Sequence, residues 1–180
     1  MSENVKTADC VSPLRKNIIL TGMPGSGKST VGIILAKELC MDFIDTDVMI
    51  QNGEGKLLQA LYDRDGAEGF LALESRYVSA LKPHATVIAP GGSVVLNESL
   101  MEHLGSLGTI VFLDVPIDTI IPRIDLSSRG TVRKPGETLH DVWAIREPLY
   151  RQSAHITVDC GSMSQLEIAR FLALKFNAQS

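Results

Sequence analysis

Residues 17–29 read NIILTGMPGSGKS, an apolar run that passes at once into a glycine-rich turn and then into TVGIILAKELC, a segment of helical period. Gly22 to Ser29 fit the spacing G-x-x-x-x-G-K-S, and a strand before it and a helix after it are the context that spacing requires. Glycines there let the backbone turn tightly and aim its N–H groups at phosphate oxygens, while the helix start adds the positive end of its dipole. Lys28 is suited to the β and γ phosphates, and the Ser29 hydroxyl to a Mg²⁺ ion. The candidate donor site is Gly22, Gly25, Ser26, Gly27, Lys28, Ser29 and Thr30, with ATP as phosphoryl donor and Mg²⁺ as cofactor. The competing reading is a glycine-rich turn that binds nothing; it accounts for the glycines but not for the lysine, the serine and the flanking elements together.

Outward from this turn, short β-branched runs recur at NIIL (17–20), FID (43–45), TVIA (86–89), TIVFLDV (109–115) and HITVD (155–159). Helical periods lie between them, in KLLQALYDRDGAEGFLALESRYVSAL, TLHDVWAIREPLYRQSA and QLEIARFLALKF. Strands alternating with helices imply crossover connections and a mostly parallel sheet covered on both faces. The strands lack polar alternation, as doubly covered strands should. The expected fold is an α/β sandwich of three layers, α/β/α. A single domain over residues 16–180 is expected, after a loose tail at 1–15. The stretch DLSSRGTVRKPGETL, 125–139, has little apolar surface to hold it down and reads as a mobile basic lid over about 125–137.

Composition narrows the partners. A net charge of -4 leaves no broad basic surface for nucleic acid. Cys10, Cys40 and Cys160 are odd in number and far apart, which argues against a disulfide framework or a zinc site and for a reducing, cytoplasmic setting. No stretch has the length and apolarity of a membrane span or signal core. Small molecules are the expected partners.

In FIDTDVMI, Asp45 and Asp47 stand two apart at the end of the second strand. Ligands of open parallel sheets collect beyond the carboxyl ends of strands, where the glycine turn also lies. One carboxylate can hold the water shell of Mg²⁺ while the other orients or deprotonates an attacking hydroxyl. The alternative role for Asp47 is to N-cap the helix VMIQN, and the two roles can coexist.

The order of P-loop, FIDTD, a helix with F-x-x-x-E, VIAPGG, a basic lid and REPLY resembles the shikimate kinases from about Asn17 to Asp159. The resemblance implies a five-stranded parallel sheet of the nucleoside monophosphate kinase type and transfer of phosphate from ATP to shikimate, a step of aromatic amino acid biosynthesis. It makes Asp45 a Mg²⁺ ligand through water and Asp47 the base at the acceptor hydroxyl. Gly91 and Gly92 match the turn that touches the acceptor, Arg129 the lid arginine closing on ATP, and Arg146 the helix arginine pairing with the acceptor carboxylate. Catalysis would then rest on Lys28, Asp47 and Arg129. Met163 falls where the family contacts adenine. Ordinary alternatives are a solvated loop charge for Arg129 and a surface ion pair with Glu147 for Arg146. Such a kinase is expected to be a monomer.

Three departures fall outside the phosphate cradle. The family reads F-R-x-x-E where this chain has Phe70, Leu71 and Glu74 in GFLALE, so Leu71 replaces an arginine that binds the acceptor carboxylate. Arg64 and Arg76 are the nearby candidates to substitute. Ser93 stands where the family has a third turn glycine, and RGTVRKPG replaces the usual lid sequence. With Leu71 in the substrate site, a changed acceptor such as homoserine is the alternative, its ammonium met by Asp47 or Glu74. A non-catalytic nucleotide-binding regulator would be of another class, and retention of Lys28, Ser29, Asp45, Asp47 and Arg129 speaks against it.

Overall fold

The computed structural model describes residues 16–124, 132–134 and 136–178. The expected tail, the lid segment 125–131 and Arg129 lie outside the described residues. The five strands are β1 (Asn17–Thr21), β2 (Asp42–Asp45), β3 (Thr86–Ala89), β4 (Gly108–Asp114) and β5 (Ile156–Asp159). They form one parallel sheet in the order β2, β3, β1, β4, β5. Every expected strand is present, and β1 and β3 are buried along their whole length. That burial is why their sequences show no polar alternation.

The helices are α1 (Lys28–Leu39), α2 (Thr46–Glu54), α3 (Leu58–Ser79), α4 (Glu98–Leu107), α5 (Ile117–Ile120), α6 (Leu139–Ser153) and α7 (Gln165–Asn177). Sequence sets their ends. Thr138 with Asp141 and Ser164 with Glu167 form capping boxes that start α6 and α7, each satisfying orphan N–H groups reciprocally. Asn97 caps α4, a helix that the sequence reading did not single out, by accepting from the Leu100 N–H at 3.2 Å.

The main core joins the sheet to α1, α4, α6 and α7 through residues such as Leu20, Leu35, Ile88, Leu104, Tyr150 and Leu172. A second, smaller cluster of Ile50, Leu58, Leu61, Phe70, Leu73 and Val132 sits between α2, α3 and the segment after the lid. Helix α3 is not straight beside this cluster: Gly66, with φ 67° and ψ −173°, interrupts it. That conformation is nearly closed to residues with a Cβ, so the break is set by the glycine.

Cys40, exposed at the end of α1, is disulfide-bonded; a single bridge is not the disulfide framework that the sequence argued against. Cys160 is a free, buried thiol whose pKa is pushed up to about 12, foremost by burial. Among the described residues no helix is long and apolar enough to cross a membrane.

Candidate active site

A cleft of about 510 Å³ opens beyond the carboxyl ends of β1, β2 and β3. The P-loop forms one side. Gly22, Gly25 and Gly27 have φ of 143°, 79° and 93°, so the turn needs glycine at these places. Gly27 caps α1 with no side-chain bond, leaving the first-turn N–H groups to face a ligand. Lys28 folds back over the loop, its Nζ donating to the carbonyls of Gly22 at 2.8 Å and Met23 at 3.0 Å. The Ser26 Oγ is buried, without a hydrogen-bond partner among the described residues. An orphaned hydroxyl inside a phosphate cradle fits an anionic ligand there.

Asp45 ends β2 and Asp47 falls in the first turn of α2; both line the cleft. The cap of α2 is Asp45, whose Oδ1 accepts from the N–H groups of Asp47 at 3.0 Å and Val48 at 3.2 Å. The capping role considered for Asp47 therefore belongs to Asp45, because the helix starts at Thr46. Ser29 and Asp45, a hydroxyl and a carboxylate, are hard oxygen donors that suit a Mg²⁺ completed by phosphate and water.

The far side of the cleft is the turn Gly91–Ser93 after β3. Its Gly91 N–H donates to Thr46 Oγ1 at 3.2 Å. Its Gly92 carbonyl accepts from Arg146 Nη1 at 3.0 Å and from the Tyr150 hydroxyl. A Cβ on Gly92 would meet Pro24 at 2.7 Å, so turn and P-loop are in close contact. Arg146 is only 2% exposed yet lines the cleft, and its Nη2 donates to the Val132 carbonyl. The surface ion pair considered for Arg146 does not form. Glu147 instead accepts from Arg151 at 2.6 Å. A buried guanidinium held by two carbonyls has its remaining donors left for an anion in the cleft.

Leu71 is not among the cleft-lining residues; half-buried, it packs against the second cluster, while Phe70, Leu58 and Val132 line the cleft. Neither neighbouring arginine takes its place. Arg64 pairs with Asp65 and Arg76 with Glu54, both on the surface. Glu74 is 1% exposed, and the Ser93 hydroxyl lies 3.1 and 3.0 Å from its two oxygens. Burial, first, raises its pKa to about 7; the Ser93 bond, Arg146 and Lys28 oppose the rise and Asp47 adds to it.

Several lining residues escaped the sequence reading. Arg123 and Gln165 line the cleft, and Gln165 lies 3.3 Å from where a Gly27 Cβ would stand. Met163 does not line the cleft and instead packs, half-buried, against the main core. Tyr150 stacks on Phe112 with centroids 5.2 Å apart, and its hydroxyl also ties down the turn. Nothing local in the sequence marks these contacts, since each joins residues far apart in the chain.

This geometry agrees with comparison against known proteins. The shikimate kinase family model matches residues 24–175. The chain belongs to the shikimate kinase family. A shikimate kinase of Clostridium botulinum is 36% identical, over 83% of this chain and 90% of that one. One from Haemophilus influenzae is 32% identical over 80% and 83%. Among solved structures, the shikimate kinase of Acinetobacter baumannii in complex with shikimate superposes with a TM-score of 0.81 at 27% identity, covering 93% and 96% of the two chains. A deoxyadenosine kinase from M. mycoides, 15% identical with a TM-score of 0.62, shares the fold alone. Of the departures at positions 71 and 93, Ser93 lines this cleft and Leu71 does not.

Proposed function

We propose that this chain phosphorylates shikimate at a hydroxyl with ATP as donor, as a shikimate kinase of aromatic amino acid biosynthesis. The observation that carries this is Arg146: a buried guanidinium across the cleft from the P-loop, clamped to the turn that faces Asp47. It provides one charged anchor for an acceptor carboxylate, with apolar Phe70, Leu58 and Val132 beside it for a ring.

In the reaction the acceptor hydroxyl oxygen forms a bond to the γ-phosphorus of ATP, and the bond from that phosphorus to the bridging β–γ oxygen breaks. ADP leaves and the hydroxyl proton passes to Asp47. Lys28 and the backbone N–H groups of the P-loop stabilise charge on the transferring group. Mg²⁺, which would be held by Ser29 and Asp45, supplies charge neutralisation on the phosphates. Arg129, outside the described residues, takes the family's lid role in this reading, and Arg123 and Gln165 border the nucleotide. The enzyme works as a monomer on a small hydroxy acid, in the cytoplasm.

The homoserine alternative gains no support from the relatives, which are shikimate kinases. It also loses one of its acids, because Glu74 is buried behind Ser93. Acceptor-dependent ADP release by the purified protein tests the proposal. Turnover with shikimate at sub-millimolar concentration is expected; turnover with homoserine but not shikimate would overturn it.

A further inference from the structure

Ser93 and Glu74 lie where two departures from the family pattern converge. Position 71 is one turn before Glu74 on the same side of α3, the i, i+3 relation at which side chains meet. It carries leucine, which turns to the second cluster and offers no donor. Among the described residues, the hydrogen bonds to the Glu74 carboxylate come from the Ser93 hydroxyl, one hydroxyl placed between two oxygens. Ser93 begins the short 3₁₀ turn Val94–Leu96, yet makes no side-chain cap bond there. Its hydroxyl is directed to Glu74.

The contact also bears on the acceptor turn. Glu74 Oε1 comes within 2.3 Å of the point where a Gly91 Cβ would stand, and Asp47 Oδ1 within 3.0 Å of the same point. Gly91 is thus enclosed by two carboxylates. The turn is tied to α2 through Thr46, to α6 through Arg146 and Tyr150, and to α3 through Ser93. Arg146, Lys28 and Asp47 all act electrostatically on Glu74.

We infer that Ser93 is a positioning residue for the acceptor: its hydroxyl holds the buried Glu74 in place of a guanidinium at position 71, and so fixes the Gly91–Ser93 turn against α3. The substitution of leucine at 71 and the serine at 93 are then two halves of one change. A buried carboxylate stripped of its donor must find another or move, and the turn it supports moves with it. The donor side shares none of these bonds.

The inference rests on the shikimate kinase reading, so wild-type turnover is measured first; its absence would sink that reading, not this contact. Given turnover, Ser93→Ala is expected to raise the KM for shikimate about tenfold, the loss of one hydrogen bond to a charged group, with kcat and the KM for ATP each within about threefold. Adding Leu71→Arg to Ser93→Ala is expected to recover at least about fivefold of that KM, a coupling beyond the sum of single effects. An unchanged shikimate KM in folded Ser93→Ala, an equal rise for ATP, or no recovery in the double variant would overturn the inference. Should Ser93→Ala not fold, Leu71→Arg with Ser93→Gly is the second test. It is expected to fold and to keep the shikimate KM within about threefold of wild type, and failure there overturns the inference equally.

Discussion

Arg146 Nη1 donates to the carbonyl of Gly92 at 3.0 Å across 54 residues of sequence, joining α6 to the acceptor turn. With its second arm on Val132, the guanidinium is a strut as well as the proposed anion site. Arg146→Met removes the charge and leaves two carbonyls without their donor. The expected result is a fall of at least about 100-fold in kcat/KM for shikimate and a Tm lower by about 4 °C or more. Steady-state kinetics with each substrate varied, and a thermal melt, check this; a loss expressed in the KM for ATP alone would contradict the assignment.

Lys28 is held by the Gly22 and Met23 carbonyls, close to where phosphates are cradled. Lys28→Met keeps much of the length and removes the charge that meets the transferring group. A fall of about 100- to 1,000-fold in kcat is expected, the usual size for one preorganised donor in the transition state. Retention of kcat within about threefold would remove Lys28 from the mechanism.

How much of this was legible beforehand varies with the range of the interaction. The P-loop, all five strands and both capping boxes depend on residues within a few positions of one another, and these were readable or marked by clear local signals. Arg146 was readable as a candidate only through the REPLY resemblance, because its partners Gly92 and Val132 are brought to it by the crossover connections of the sheet. Leu71 shows the limit of helical period, which groups side chains by face but does not say which of them reach the cleft: Phe70 lines it, while Leu71 packs against the second cluster.

Gly91 has no room for a side chain. A Cβ there would lie 2.3 Å from Glu74 Oε1 and 3.0 Å from Asp47 Oδ1. Gly91→Ala must push one carboxylate away, and Glu74, already packed under Ser93, has little space to yield. Overpacking of this kind costs about 1–3 kcal/mol. A lower Tm together with loss of at least about 90% of shikimate turnover is the expected outcome. A variant that melts normally and turns over at the wild-type rate would show that the turn is not rigid.

The Tyr150 hydroxyl also donates to Gly92, from a ring that is fully buried and stacked on Phe112. Tyr150→Phe preserves the stacking and deletes only that bond. Stability should fall by about 1 kcal/mol, with a shikimate KM raised about two- to fivefold, since Arg146 still holds the same carbonyl. A loss of more than about tenfold in the KM would mean that the tyrosine, not the arginine, is the principal support of the turn.

Glu74 should make stability depend on pH in a direction that can be stated beforehand. Its folded pKa, about 7, stands above its ordinary value of 4.5, with burial the largest cause. Between these values the folded protein holds a proton that the unfolded chain has released, so stability falls as pH rises through the interval and is constant on either side of it. The contribution is complete below about pH 4.5 and gone above about pH 7, and its ceiling is about 3 kcal/mol. Other groups titrate over the same range, so the comparison is with Glu74→Gln, which keeps the shape and cannot ionise. The difference in Tm between Glu74→Gln and wild type should shift in favour of the variant from pH 5 to pH 8. If the difference is flat, the Glu74 carboxyl is not titrating in that window, and the Ser93 hydroxyl with Arg146 and Lys28 holds it ionised throughout.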